Sequence, residues 1–163
     1  MGNYNNFSAA LAAGRKGEAL AATFLEQQGY IIEDVSDSKQ YQLQDIDLIA
    51  QQEDRLALTI EVKADSRIAD TGNICVETIT NKSAKKKGWF FYTKALFIFF
   101  VDIQQEVIHC VRTNELRELY NNNSFKHIET KQFECGEYLK LGEIALIPLN
   151  KIEKLPHYKN ISA

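Results

Sequence analysis

Apolar and polar residues alternate with period two along two neighbouring segments of this chain. The segments are Leu43–Ala50 and Leu56–Ala64, and such alternation is typical of strands that bury one face. The polar segment Gln51–Arg55 between them predicts a turn that lets the two strands pair. Side chains on the same face of the paired strands would then lie close together.

The rest of the chain supplies the other elements of an α/β fold. A stripe of apolar residues at helical spacing predicts a helix from Ser8, its N-terminal cap, to about Gln28, with Gly29 as its stop. The apolar run Leu96–Asp102 is typical of a buried central strand. The remaining predictions are strands at Tyr30–Val35, Asn73–Thr80, Glu106–Arg112, Lys126–Gln132 and Glu143–Leu149, a short helix from Thr113 or Asn114 to Tyr120, and a loop with a short helix at Asn81–Lys94. This order predicts a central mixed β-sheet flanked by helices.

Length and composition are those of an ordinary globular protein. The chain has 163 residues, of which 45% are hydrophobic and 25% charged, so it can bury one hydrophobic core. We expect a single domain over residues 1–163, with a core at about 8–112 and a C-terminal extension at about 113–163. No segment reaches the roughly twenty apolar residues of a membrane span. The N-terminus lacks the pattern of a signal peptide, so we expect a cytoplasmic protein without a membrane partner.

Charged residues interrupt the two alternating strands in a way that suggests chemistry. Asp47 lies in the first strand, and Glu61 and Lys63 share one face of the second. Carboxylates in half-buried strands are costly unless their charge is compensated, and a hard divalent cation compensates it well. Asp45 shares the predicted face of Asp47, but an exposed acid at the start of a strand is the commoner explanation for it. The pattern points to a metal-dependent phosphodiester hydrolase.

This order of residues resembles the PD-(D/E)xK nuclease superfamily, in which an acidic residue on one strand precedes an acid-x-Lys motif on the next. The resemblance covers roughly residues 14–103, and the motif falls on Asp47, Glu61 and Lys63. Ile46 stands where the family name has proline. The resemblance implies a restriction-endonuclease-like core and a Mg²⁺-dependent deoxyribonuclease, in which Mn²⁺ can take the place of Mg²⁺.

The resemblance also implies a role for each residue. Asp47, Glu61 and the backbone carbonyl of Val62 would bind the metal ion, and Lys63 would orient the attacking water and stabilise developing charge. Many members carry a glutamate on the first helix, and Glu18 matches that position. Glu18 would hold the ion through water or help to bind a second one. A plain glutamate at the edge of the helix surface is the alternative.

A group of lysines suits contacts with a phosphate backbone. It consists of Lys82, Lys85, Lys86 and Lys87, and we expect DNA as the partner, although a solvated loop explains the lysines equally well. The net charge of −3 argues neither for nor against nucleic-acid binding, because nucleic acid responds to the distribution of charge. For the aromatic run from Trp89 to Tyr92, packing in the core is favoured over a platform for stacking bases.

Other classes of site find little support. The three cysteines, Cys75, Cys110 and Cys135, are isolated, so we expect reduced thiols and no zinc site. The chain has no glycine-rich phosphate loop, so we expect no nucleotide cofactor. Two rival hypotheses are a nucleic-acid-binding protein that keeps the nuclease fold without turnover and a nuclease subunit that needs a partner. The sequence leaves the strandedness of the substrate and a homodimer open.

Overall fold

The structure is a computed structural model that describes residues 4–134 and 137–162. The elements, in chain order, are α1 (Tyr4–Gln27), β1 (Ile31–Asp34), α2 (Lys39–Gln42), β2 (Leu48–Gln51), β3 (Leu58–Asp65), α3 (Ile68–Thr71), β4 (Asn73–Asn81), β5 (Lys86–Lys87), α4 (Trp89–Tyr92), β6 (Phe97–Asp102), β7 (Val107–Arg112), α5 (Thr113–Asn121), β8 (Lys126–Glu134), β9 (Glu137–Pro148), α6 (Leu149–Ile152) and β10 (Lys159–Ser162). Of the three cysteines, Cys135 lies outside the described residues, and Cys75 and Cys110 are free thiols.

Two sheets organise the described part of the chain. The larger has six strands in the order β1-β2-β3-β6-β7-β10, with β3 and β6 parallel and their other neighbours antiparallel. The smaller is antiparallel, in the order β5-β4-β9-β8. The predicted α/β fold with a central mixed sheet is confirmed. The smaller sheet was not predicted, because the pairing of β9 with β4 joins segments about seventy residues apart in the sequence.

The strands β3 and β6 lie at the centre of the larger sheet and bury both of their faces. On one face, Ile60 and Val62 pack with Phe99 and with Leu25 of α1. The opposite face of β6 carries residues such as Ile98, which pack against β4, α4 and β9 in a second core cluster. Since neighbouring residues of a strand point to opposite faces, Glu61 and Lys63 lie on the face turned away from α1.

The helix α1 crosses the larger sheet at very short distance. A Cβ atom added to Gly17 would lie 2.9 Å from the Cβ of Ala64 and 3.6 Å from Cγ1 of Val62, so the lack of a side chain permits this contact. The helix begins at Tyr4, and the prediction that Ser8 caps it is wrong. Gly29 has a φ of +82°, the left-handed conformation that glycine adopts readily after a helix, and its predicted role as a stop is confirmed.

The first motif strand is shorter than predicted. Residues Lys39–Gln42 form α2, and Asp45 has a φ of +48° in the turn that follows, so β2 begins only at Leu48. The predicted strand Leu43–Ala50 is therefore wrong in its first half, and Asp45 and Asp47 do not share a strand face. Alternation alone missed the turn, because Ile46 is buried by packing with its neighbours Val35 and Ala95 rather than within a strand.

The residues after position 112 belong to both sheets. The strands β8 and β9 extend the smaller sheet, and β10 pairs with β7 at the edge of the larger one. The second motif strand, predicted at Leu56–Ala64, is confirmed as Leu58–Asp65. Within the described ranges, no helix combines the length and apolar composition that crossing a bilayer requires.

Two glycines of α1 offer a matched pair of substitutions. A Cβ atom on Gly14 would meet nothing within 4 Å, so Gly14→Ala should stabilise the protein by about 0.5–1 kcal/mol through helix propensity alone. Gly17→Ala should instead destabilise it by about 1 kcal/mol net, because overpacking costs about 1–3 kcal/mol and exceeds the helical gain. Urea unfolding of both variants measures the difference. Equal stabilisation by the two would contradict the close packing of α1 on β3.

Candidate metal centre

Asp47 lies immediately before β2 and is held there by three hydrogen bonds. Its backbone N–H donates to the carbonyl of Ile60 at 2.9 Å, and its carbonyl accepts from the N–H of Val35 at 2.8 Å. Its side-chain Oδ2 accepts from the backbone N–H of Val62 at 2.8 Å. The carboxylate of Asp47 is thereby placed against β3 at the residue between Glu61 and Lys63.

Glu61 carries the most unusual side chain of the site. It is 2% exposed, in the middle of a core strand. Its Oε1 forms an ion pair with Nζ of Lys63, whereas its buried Oε2 has no hydrogen-bond partner among the described residues. A buried oxygen without a donor costs free energy. This oxygen can therefore be satisfied by a proton or by a cation.

The two carboxyl groups of Asp47 and Glu61 influence each other. Burial raises the pKa of Glu61 to about 7, the charge of Lys63 opposes that rise, and the charge of Asp47 adds to it. Burial also raises the pKa of Asp47, against the effects of the Val62 amide and the charge of Lys63. The site brings two acids together in a place where keeping both ionised is costly.

Lys63 lies between an acid and an aromatic ring. Its Nζ pairs with Glu61 on one side and lies 4.6 Å from the centroid of the Trp89 ring on the other. A cation over an indole face is attracted by the ring quadrupole. This role of Trp89 was not predicted from the sequence, since no spacing signal joins a residue of β3 to one on α4. The contact limits where the ammonium group can move.

Three residues outside the motif hold α4 in place. The backbone N–H of Trp89 donates to Oε2 of Glu77 at 3.3 Å. A Cβ atom on Gly88 would lie 2.0 Å from the carbonyl oxygen of Glu77, so only glycine fits there. Arg117 donates to the carbonyls of Phe90, at 2.9 and 3.0 Å, and of Thr93, at 2.7 Å. These contacts position the ring under Lys63.

Glu18 approaches the site from α1. It lines a cavity of about 620 Å³ together with Arg15, Asp34, Asp37 and Asp47. Burial raises the pKa of Glu18, and the charge of Asp47 raises it further, so the two acids are near each other. Among the described residues, however, no group of three or more His, Cys, Asp or Glu side chains is arranged to hold a metal ion. Glu18 does not complete a three-carboxylate site.

Asp45 lies beside the centre, but a turn places it there rather than the predicted strand. It occupies the left-handed turn before β2, where its carbonyl accepts from Oγ1 of Thr93 at 2.9 Å. Burial raises its pKa, the charge of Lys63 lowers it and the charge of Asp47 raises it. The turn, and not a shared strand face, brings its carboxylate towards Lys63.

The predicted phosphate-binding lysines differ in their surroundings. Lys82 pairs with Glu129 at 2.9 Å and with Glu143 at 3.5 Å. Lys85, Lys86 and Lys87 are exposed and form no ion pair with any residue that the structure describes. Lys82 is thus paired with two acids, Nζ of Lys87 lies 5.6 Å from the centroid of the Phe91 ring, and Lys85 and Lys86 face solvent.

Comparison with known proteins identifies a family for this chain. Residues 17–103 match the sequence model of a family described as Uncharacterised protein family UPF0102. The match covers more than half of the chain and contains Glu18, Asp47, Glu61 and Lys63. Neither the curated proteins nor the solved structures gave a significant match.

The raised pKa of Glu61 predicts a pH-dependent stability. Its pKa rises from 4.5 to about 7 on folding, so the folded protein holds more protons than the unfolded chain between those values. Stability should therefore fall as the pH rises through this window. From pH 5 to pH 8, the unfolding free energy of Glu61→Gln should rise relative to that of the parent by up to about 3 kcal/mol, because only the parent loses the stabilising proton.

Urea unfolding in chelator at both pH values measures this change. Glu53→Gln, at an exposed loop position, serves as the control and should keep a constant offset from the parent. A constant offset for Glu61→Gln as well would mean that Glu61 is not buried as an acid.

Proposed function

This chain belongs to the family described as Uncharacterised protein family UPF0102, and we propose that it is a metal-dependent nuclease that hydrolyses DNA phosphodiester bonds. The observation that carries the proposal is the buried Oε2 of Glu61, which has no hydrogen-bond partner among the described residues and lies in a site shared with Asp47. Carboxylate oxygens are the ligands that Mg²⁺ and Mn²⁺ prefer. A divalent cation would satisfy this oxygen and relieve the repulsion between the two acids.

The residues present fit such an ion. Asp47 and Glu61 would bind it, with the backbone carbonyl of Val62 as a third ligand and Glu18 acting through water. When bound, the ion neutralises phosphate charge and lowers the pKa of a coordinated water. The resemblance of Asp47, Glu61 and Lys63 to the PD-(D/E)xK motif supports DNA as the substrate class.

Lys63 performs the remaining chemistry in this proposal. If the carboxylate of Glu61 binds the metal ion, the Lys63 ammonium would be free to donate hydrogen bonds to the attacking water and to a phosphate oxygen. Its positive charge stabilises the negative charge that builds on phosphorus-bound oxygens in the transition state. The ring of Trp89, 4.6 Å from Nζ, limits the positions of the ammonium group and so orients it at little entropic cost.

One observation favours a second candidate function. Oε1 of Glu61 already pairs with Lys63, and such a pair is what a purely structural acid and lysine would form. A protein that binds nucleic acid without cleaving it would retain this pair. Cleavage and metal binding are therefore measured separately.

Cleavage depends on Lys63 in the proposed mechanism. Lys63→Ala should lose activity by about a hundredfold or more, because it removes a preorganised positive charge from the transition state. The measurement is Mg²⁺- or Mn²⁺-dependent cleavage of labelled single-stranded, duplex and branched DNAs, repeated in chelator. Lys126→Ala, at an exposed position of β8, should keep full activity. Equal cleavage by Lys63→Ala and the parent would contradict the assigned role.

Metal binding can be followed without any nucleic acid. Trp89 is the only tryptophan of the chain, and its ring lies under the ammonium group that pairs with Glu61. Mg²⁺ should change the Trp89 fluorescence of the parent, because an ion on Glu61 alters the position of Lys63. Glu61→Gln should not respond, whereas the control Glu53→Gln should respond fully. Absence of Mg²⁺ and Mn²⁺ binding to the parent by calorimetry would favour the non-catalytic candidate.

A further inference from the structure

A second cavity lies next to the candidate metal centre and plays no part in the mechanism above. Its volume is about 430 Å³, and its walls include residues of β4, the β4–β5 turn, α4 and α5. Cavities of about 300–1,000 Å³ are typical of sites for small ligands. We call it the lysine–aromatic cavity, after Lys85, Lys86, Lys87, Phe91 and Tyr120, which line it.

An aromatic ring in this cavity is exposed and held in place. Phe91 is 37% exposed, although core packing was predicted for the whole aromatic run. Its ring lies 5.2 Å from that of Phe90 and 5.8 Å from that of Tyr120, between centroids, and both contacts are inclined rather than parallel. Neighbouring Tyr92 is 48% exposed. The core prediction therefore holds for Phe90, which is fully buried, and is wrong for Phe91 and Tyr92.

The lysines of the cavity are carried by an ordered hairpin. Lys86 and Lys87 form β5 and pair with β4, and Lys85 takes a left-handed φ of +51° in the preceding turn. The side chain of Asn81 closes that turn by accepting from the N–H of Ala84 at 3.1 Å. The backbone that carries these three lysines is thus held in place, and no described acidic residue pairs with their side chains.

The acid in the cavity does not cancel these charges. Glu143 lines the same cavity, but its carboxylate is already engaged by Nδ1 of His127 at 2.6 Å and by Nζ of Lys82 at 3.5 Å. The hydrogen bond from His127, together with Thr78 and Lys82, lowers the pKa of Glu143. The cavity therefore keeps an excess of positive charge at its open side.

The lysine–aromatic cavity adjoins the metal centre through α4. This helix carries both Trp89, which lies under Lys63, and Phe91, which lines the cavity. The charges of Lys63 and Lys86 both lower the pKa of Asp45, so both act on the same carboxyl group. The metal centre and the cavity therefore share α4 and lie near each other.

We propose that the lysine–aromatic cavity binds an unpaired nucleotide of the strand being cleaved, with its base stacked on Phe91 and its phosphates contacted by Lys86 and Lys87. An aromatic ring can stack on a base face only where that base is not covered by its neighbours, and lysines beside such a ring are the arrangement that binds single strands. The proposal rests on the proposed function, since it assigns the substrate class as a nucleic acid with a single-stranded segment.

The test is the binding of labelled single-stranded and duplex oligonucleotides to the full chain, by fluorescence anisotropy in chelator. Phe91→Leu keeps an apolar side chain and removes the stacking surface, so it should weaken single-strand binding by about tenfold and leave duplex binding unchanged. Phe91→Trp should bind the single strand as tightly as the parent. In the double variant Lys86→Gln/Lys87→Gln, the slope of the logarithm of the single-strand binding constant against the logarithm of the salt concentration should become less steep by about 0.7 per lysine. Lys126→Gln should leave this slope unchanged.

The outcomes separate this proposal from the nuclease proposal. Phe91-dependent preference for single strands supports the cavity as a nucleotide site, even if the parent cleaves nothing and the nuclease proposal fails. Equal binding by the parent, Phe91→Leu and Phe91→Trp overturns the cavity proposal, even if the parent cleaves DNA in a Lys63-dependent way. Equal affinity of the parent for single-stranded and duplex DNA also overturns it.

Discussion

The burial of one carboxyl group, that of Glu61, is the constraint on which the rest of the structure depends. A glutamate in the middle of a core strand loses its hydration, and this loss raises its pKa to about 7. The ion pair with Lys63 offsets only part of this cost, because Oε2 has no donor among the described residues. A fold keeps such a residue at the expense of stability, which is common where a side chain serves a function.

The layers around β3 can be understood as supports for this residue. On one face, α1 packs so closely that Gly17 has no room for a side chain, and this contact excludes water from Val62. On the other face, α4 brings Trp89 to Lys63, and Gly88 and Arg117 fix α4 by contacts to the backbone. Residues far apart in the sequence therefore determine where one ammonium group lies.

The sequence predicted the parts of this arrangement that depend on local pattern. The alternation in β3, the apolar run of β6 and the order Asp47, Glu61, Lys63 were all readable, because period and spacing are local properties. The start of β2 could not be predicted in this way, since Ile46 is buried by packing against Val35 and Ala95 and not within a strand. The contact of Trp89 with Lys63 and those of Arg117 with α4 and Thr93 were missed, because they join different elements that lie at least 24 residues apart in the sequence. Contacts of this kind leave no periodic signal.

The two cavities beside the centre carry opposite charge, and this difference bears on how a nucleic acid would lie. The cavity on the α1 side holds Glu18, Asp34, Asp37 and Asp47 with a single arginine, so it repels phosphate unless a cation is present. The lysine–aromatic cavity is lined by lysines, so it would attract phosphate with or without a cation. Under the proposed function, a strand would be drawn first towards β5 and α4, and its next phosphate would meet the carboxylates only when their charge is neutralised. Binding and hydrolysis would then depend on metal to different degrees, as expected of a site that needs the ion for chemistry and not for association.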